Sequence, residues 1–147
     1  MTKLIWILLA LAAGSALPLQ GGINARLGKA AASPVYAALI SFAVGTAALL
    51  VYILVTKQTA SWAGIKQLPP QYWIGGILGA IYVSIVILVF PKLGPGLTFS
   101  LIVAGQLMLA LLLEHYNILV AQQQSVSVGR IMGVVLIVAG VVLMKRF

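Results

Sequence analysis

Five apolar runs, at about residues 4–27, 34–56, 72–90, 97–113 and 128–144, take up most of this 147-residue chain. A helix needs about 20 apolar residues to cross a bilayer, with about 17 as a lower limit. Each run meets that limit, and none shows the strict alternation of a membrane barrel strand. Only 7% of the residues are charged, against roughly 25% in a soluble domain. Too little polar surface is left to keep such a chain in water. The expectation is an all-α integral membrane protein, one domain over 1–147 with five transmembrane helices. The N-terminal "MTKLIWILLALAAGSA" has the layout of a signal peptide. With four more apolar runs behind it, an uncleaved first span fits better.

Punctuation between the runs is mostly proline and glycine. Pro34 stands where a helix start tolerates proline. "QLPPQ" before the third run cannot lie within a helix. "PKLGPG", residues 91–96, carries two prolines and two glycines in six positions and reads as a turn. "EHYNILVAQQQSVS", residues 114–127, is the longest polar link, with room for a short interfacial segment around 118–121.

The net charge of +8 comes from nine Lys and Arg against one acid, Glu114. These cations stand singly at the ends of apolar runs, as interface residues that snorkel do. They form no basic face, and with no docking motif nucleic acid is excluded as a partner. In a five-span chain Lys3, Lys57, Lys66 and Arg130 share one side of the membrane, and Arg26, Lys29, Lys92, Lys145 and Arg146 the other. Four against five is almost no bias, although cation bias normally sets orientation. Either a single loop overrides the balance, or the chain inserts both ways up and two copies pair antiparallel. Inverted pairing matters because many transporters place their solute site between two repeats of opposite topology. No internal repeat is present, so the second half would be a second copy.

Small residues recur at helical spacing: Gly75 and Gly79 on the third span, and Gly129, Gly133 and Gly140 on the fifth. Such stripes let helix backbones approach in lipid. They serve a seam between copies or ordinary packing within one.

The polar groups at membrane depth are few. In "LPLQGGINARLG", residues 17–28, Gln20 and Asn24 are one helical turn apart and Arg26 points elsewhere. Pro18 and the glycine pair at 21–22 mark a place where the helix breaks or ends. The polar groups there either wall a solute pathway or belong to a capped loop. Gln106, mid-way along the fourth span, must find partners inside protein; it binds solute or ties helices together. Thr98 and Ser100 lie near the start of that span, whose free N–H groups attract anions. Glu114 ends it, opposing the helix dipole, and calls for a cation nearby; Arg26 or Lys29 of an antiparallel partner is one candidate. His115, the one histidine, serves proton coupling or anchoring.

The chain has no cysteine, one histidine and one carboxylate, so no metal cluster, cofactor site or nucleophile–base set is expected. No acid lies within a span, which argues against cation-for-proton exchange and favours a small neutral or anionic solute.

"LPLQGGINARLG", "SPVYAALISFAVGTAALL", "GGILGAIYV", "PKLG", "TFSLIVAGQL" and "LLLEHYN", in that order, resemble the YdcZ-type family of small bacterial inner-membrane proteins. That family looks like single halves of the drug/metabolite transporter superfamily. The resemblance implies a five-helix unit doubled with inverted topology, by fusion or by dimerisation, and an exporter role with no defined substrate. It places polar motif positions on Gln20, Asn24, Arg26 and Gln106. It also puts Glu114 and His115 where "DH" often stands. The expectation is therefore a small-solute transporter in the bacterial inner membrane. It would act as an antiparallel homodimer by alternating access, with Gln20, Asn24 and Gln106 facing solute and Arg26, Glu114 and His115 at the mouth. A dual-topology ion channel and a non-transporting scaffold are the alternatives.

Overall fold

The computed structural model describes residues 3–146, and these are almost entirely helical. The elements are α1 (Lys3–Ala30), α2 (Pro34–Thr56), the short α3 (Trp62–Lys66), a 3₁₀ turn (Pro70–Ile74), α4 (Gly75–His115) and α5 (Val128–Arg146). By length and composition, α1, α2, α5 and the continuous stretch Pro70–His115 can each cross a membrane. Of their most apolar 18-residue windows only 6–11% is buried. The rest of that apolar surface is open to lipid or to another protein, as water would not tolerate it.

Pro18 does not end α1, which runs 28 residues straight through it. Proline deprives the helix of one N–H, here the bond to the carbonyl of Gly14. One lost bond does not outweigh a long apolar helix that must satisfy its backbone internally. The polar stretch 20–26 is therefore helix, neither a broken segment nor a loop.

Short connections end the helices by specific chemistry. Ala32 turns left-handed at φ 50°, and the Ser33 N–H donates back to the carbonyl of Gly28 at 3.1 Å. The Ser33 hydroxyl then accepts from the Tyr36 N–H, with Pro34 in the first turn of α2. At the far end Lys57 is left-handed and the Gln58 N–H reaches the carbonyl of Ile53. Trp62, Tyr72 and Trp73 are exposed in and after α3, the placement of interfacial aromatic anchors.

The chain forms two compact units, residues 1–92 and 93–147. In the first, α1 and α2 make a hairpin on which the first half of α4 packs. Ala37, Ala38, Val83 and Ile87 form its core, with Leu27 and Tyr82 against it. Glycines supply the close approaches: Gly28 lies against Ile87, Gly22 against the Phe90 ring and Gly79 against the Phe42 ring.

The connection at 91–96 differs from the turn expected there. Helical structure continues through Pro91 and resumes at Pro95; only Gly94, at φ 76° and ψ 165°, leaves it. Pro95 then starts the following helix, where a missing N–H costs nothing. A single glycine suffices because positive φ is open to it. The second unit is the remainder, residues 95–115 of α4 and α5. Met144 of α5 lies beside Gly96 and Ser100, and Arg130 beside Glu114. The two helices therefore run antiparallel. The link 116–127 contains no helix, and Asn117 and Leu119 are both left-handed.

Candidate functional site

Polar side chains are distributed over the two units in two groups. In the first unit the buried stripe of α1 is Gly21, Asn24 and Gly28. Asn24 is only 5% exposed. Gln20 lies one turn earlier and is exposed, as is Arg26. Positions four apart differ by about 40° around a helix, enough to put Asn24 inside the buried stripe and Gln20 at its open edge. Gln20 and Asn24 are thus not equivalent, a difference that spacing alone does not reveal.

In the second unit Gln106 is exposed mid-helix. A Cβ built on its neighbour Gly105 would meet nothing within 4 Å. An amide at this depth does not face hydrocarbon without cost. The fifth-span glycines are open in the same way: Cβ atoms at Gly129, Gly133 and Gly140 would meet nothing. On the third span Gly75 is open while Gly79 is used against Phe42.

The end of α4 carries the charged group. Glu114 forms an ion pair with Arg130 of the first turn of α5. This same-chain residue supplies the cation that a carboxylate at a helix C-terminus demands. The pairing in the structure is to Arg130. Arg130 Nη1 also donates to the carbonyls of Gln124 and Ser125, at 3.2 and 3.5 Å. The Gln124 N–H donates to the Glu114 carbonyl at 3.3 Å. Gln123 Nε2 caps the carbonyl of His115 at 2.8 Å, and the Val126 N–H points at His115 Nδ1 from 3.5 Å. His115 stands edge-on to Tyr116, ring centroids 4.9 Å apart. The result is a polar latch that folds residues 123–126 back onto the helix end. Counting Arg130 as one more rim cation missed this role. The signal was there: it is the first cation after the only acid, at the start of the next helix.

Residues 5–143 match the family described as "Putative inner membrane exporter, YdcZ". The chain belongs to the YdcZ family. No curated protein and no solved structure matches it. A YdcZ family member with these helices is a multi-pass protein of the inner membrane. Its role is transporter-like, and exporters are not an enzyme class.

Proposed function

We propose that this YdcZ protein moves a small neutral or anionic solute across the inner membrane, as an antiparallel homodimer working by alternating access. The observation that carries the reading is the break at Gly94. Unbroken, the 41 residues of α4 would extend about 60 Å, twice the hydrocarbon thickness of about 30 Å. Broken at Gly94, each half is about 28–31 Å long and crosses once. With α1, α2 and α5 that makes five crossings. An odd number puts the two ends of one copy on opposite sides, as an inverted repeat requires.

Three further features support it. The two rims carry nearly equal positive charge, four cations against five, so neither orientation is favoured. Gln20 and Gln106 are uncovered by their own chain, and a shared pathway would give such amides polar surroundings. The open glycine stripe of α5 suits a helix from a second copy. In this reading Gln20 and Gln106 contact the solute, Asn24 stands behind Gln20 in the buried stripe of α1, and the Glu114–Arg130–His115 latch and Arg26 lie towards the mouths.

Cysteine accessibility tests it. The chain has no cysteine, so Lys57→Cys and Lys145→Cys each report a single site, on opposite sides in the five-span arrangement. Labelling of both from outside intact cells is the expected result. Strictly one-sided labelling ends the antiparallel model. Flux measured in proteoliposomes then separates a transporter, saturable and slow, from a channel.

A further inference from the structure

The first unit carries Lys3, Arg26, Lys29, Lys57, Lys66 and Lys92 and has no Asp or Glu. The one acidic side chain of the protein, Glu114, belongs to the other unit and is paired there with Arg130. These six cations therefore have no carboxylate side chain of their own unit to neutralise them. At a membrane surface the counter-charge then comes from what surrounds them.

Three of the six gather at one rim. α1 and α2 pack side by side across a short connection, so the start of α1 and the end of α2 lie on the same side. The 23 residues of α2 extend about 34 Å, enough to cross about 30 Å of hydrocarbon and bring Lys57 out just beyond it. The next crossing begins at Gly75. Residues 57–74 are thus pinned at both ends to one boundary, with Lys3 at the same level. Every residue from 57 to 74 is exposed except Ile65, which is partly buried.

The chemistry of this rim is that of the headgroup layer. All three tryptophans, Trp6, Trp62 and Trp73, are on this side, and Tyr72 adjoins Trp73. Trp62 and Trp73 are 69% and 62% exposed. Indole rings favour the boundary between hydrocarbon and water, where the ring is covered and its N–H stays wet. In α3, Trp62 and Lys66 are four residues apart and share a face, which sets a cation beside an indole. What covers this rim must therefore offer apolar cover for rings and negative charge for lysines within one layer. A phospholipid with a net negative headgroup offers both. A zwitterionic headgroup brings its own cation and neutralises the lysines less.

We infer that the rim formed by residues 57–74 and the start of α1 is a docking surface for anionic phospholipid. Lys3, Lys57 and Lys66 draw the phosphates, and Trp62, Tyr72 and Trp73 sit beside them in the interface. This inference requires neither transport nor a second copy.

Tryptophan quenching by brominated lipid tests it. The full chain with Trp6→Phe, which leaves Trp62 and Trp73 as reporters, is reconstituted into phosphatidylcholine vesicles holding a minor fraction of phosphatidylglycerol. One or the other lipid carries bromine near the headgroup end of its acyl chains. Both leaflets have the same composition, so the orientation of the protein does not affect the reading. Brominated phosphatidylglycerol should quench more than brominated phosphatidylcholine at equal mole fraction, and added salt should shrink the difference. Adding Lys57→Gln and Lys66→Gln should lower the preference by up to about fivefold for each lysine, while Lys57→Arg with Lys66→Arg should keep it. Equal quenching by the two lipids overturns the inference and leaves the rim to a protein or to lipid of any kind. A preference that survives both glutamines unchanged overturns it as well. If the glutamine variant fails to reconstitute, a preference insensitive to salt in the parent has the same force. No flux is measured, so failure here and failure of the transporter reading are separate results.

Discussion

A Cβ at position 28 would stand 2.6 Å from Cγ2 of Ile87 and 3.7 Å from Cβ of Ala37. Ile87 is buried and its Cγ2 is fixed close to the backbone, so the clash cannot be relieved by a side-chain swing. Overpacking of this kind costs about 1–3 kcal/mol, partly offset by the roughly 1 kcal/mol that alanine gains over glycine in a helix. Gly28→Ala should therefore lower the unfolding midpoint in detergent, and Gly28→Leu should lower it much further. Adding Ile87→Ala to Gly28→Ala should cost less than the two separate losses combined, because the clashing atom is gone. Thr98 presents the opposite case. Its buried hydroxyl has no hydrogen-bond partner among the described residues, so Thr98→Val, a methyl of the same shape, should stabilise by about 1 kcal/mol. Thermal unfolding in detergent checks this. At this scale the residues themselves were readable from the chain, but not their environments. Gln20 and Asn24 look alike by spacing. Which one is covered depends on where Gly21 and Gly28 turn the buried stripe of α1, and a tertiary contact decides that.

The helical class and the membrane were legible because long runs of apolar residues with so few charges leave no other stable arrangement. Punctuation was harder to read. Pro18 and Pro91 look like breakers, yet both sit within helix, since in an apolar setting losing one backbone bond costs less than ending a helix. Gly94 alone makes the break, because only there does the backbone need positive φ. The latch at the end of α4 was illegible for another reason. Arg130 and Glu114 are sixteen residues apart and meet only once the link has folded back. Arg130→Gln should leave Glu114 without its cation and free the carbonyls of Gln124 and Ser125. Hydrogen exchange of the amides of Gln124 and Val126 should then rise, by at most about fivefold given the modest worth of a partly exposed pair. Arg130→Lys should recover only part, since an ammonium cannot fork to carboxylate and carbonyls at once. On α5, Gly133 faces open space within its own chain. Gly133→Leu should therefore leave the monomer folded while abolishing the dimer if α5 forms the seam. Cross-linking in membranes, beside an unfolding curve in detergent, distinguishes that result from general destabilisation.

For the whole molecule the question is whether one polypeptide serves in two orientations. Charge on the rims provides the means to find out, because short loops with more Lys and Arg stay cytoplasmic. Gln58→Lys, Gln67→Lys and Gln122→Lys together would raise the N-terminal side from four cations to seven against five. Lys57→Gln with Lys66→Gln would lower it to two against five. None of these side chains makes a contact on which a helix depends: all five are exposed. Each variant should therefore fold while adopting one orientation, opposite to that of the other, as single-cysteine labelling at position 125, an exposed serine whose replacement leaves both counts unchanged, would report. Neither should support flux or cross-link to itself when expressed alone. Expressed together they should do both, because each supplies the inverted half that the other lacks. The wild-type chain, with near-equal rims, would correspond to the mixture. If either fixed-orientation variant is fully active alone, each copy works upright, and the even charge of the rims has no bearing on how the pathway is built.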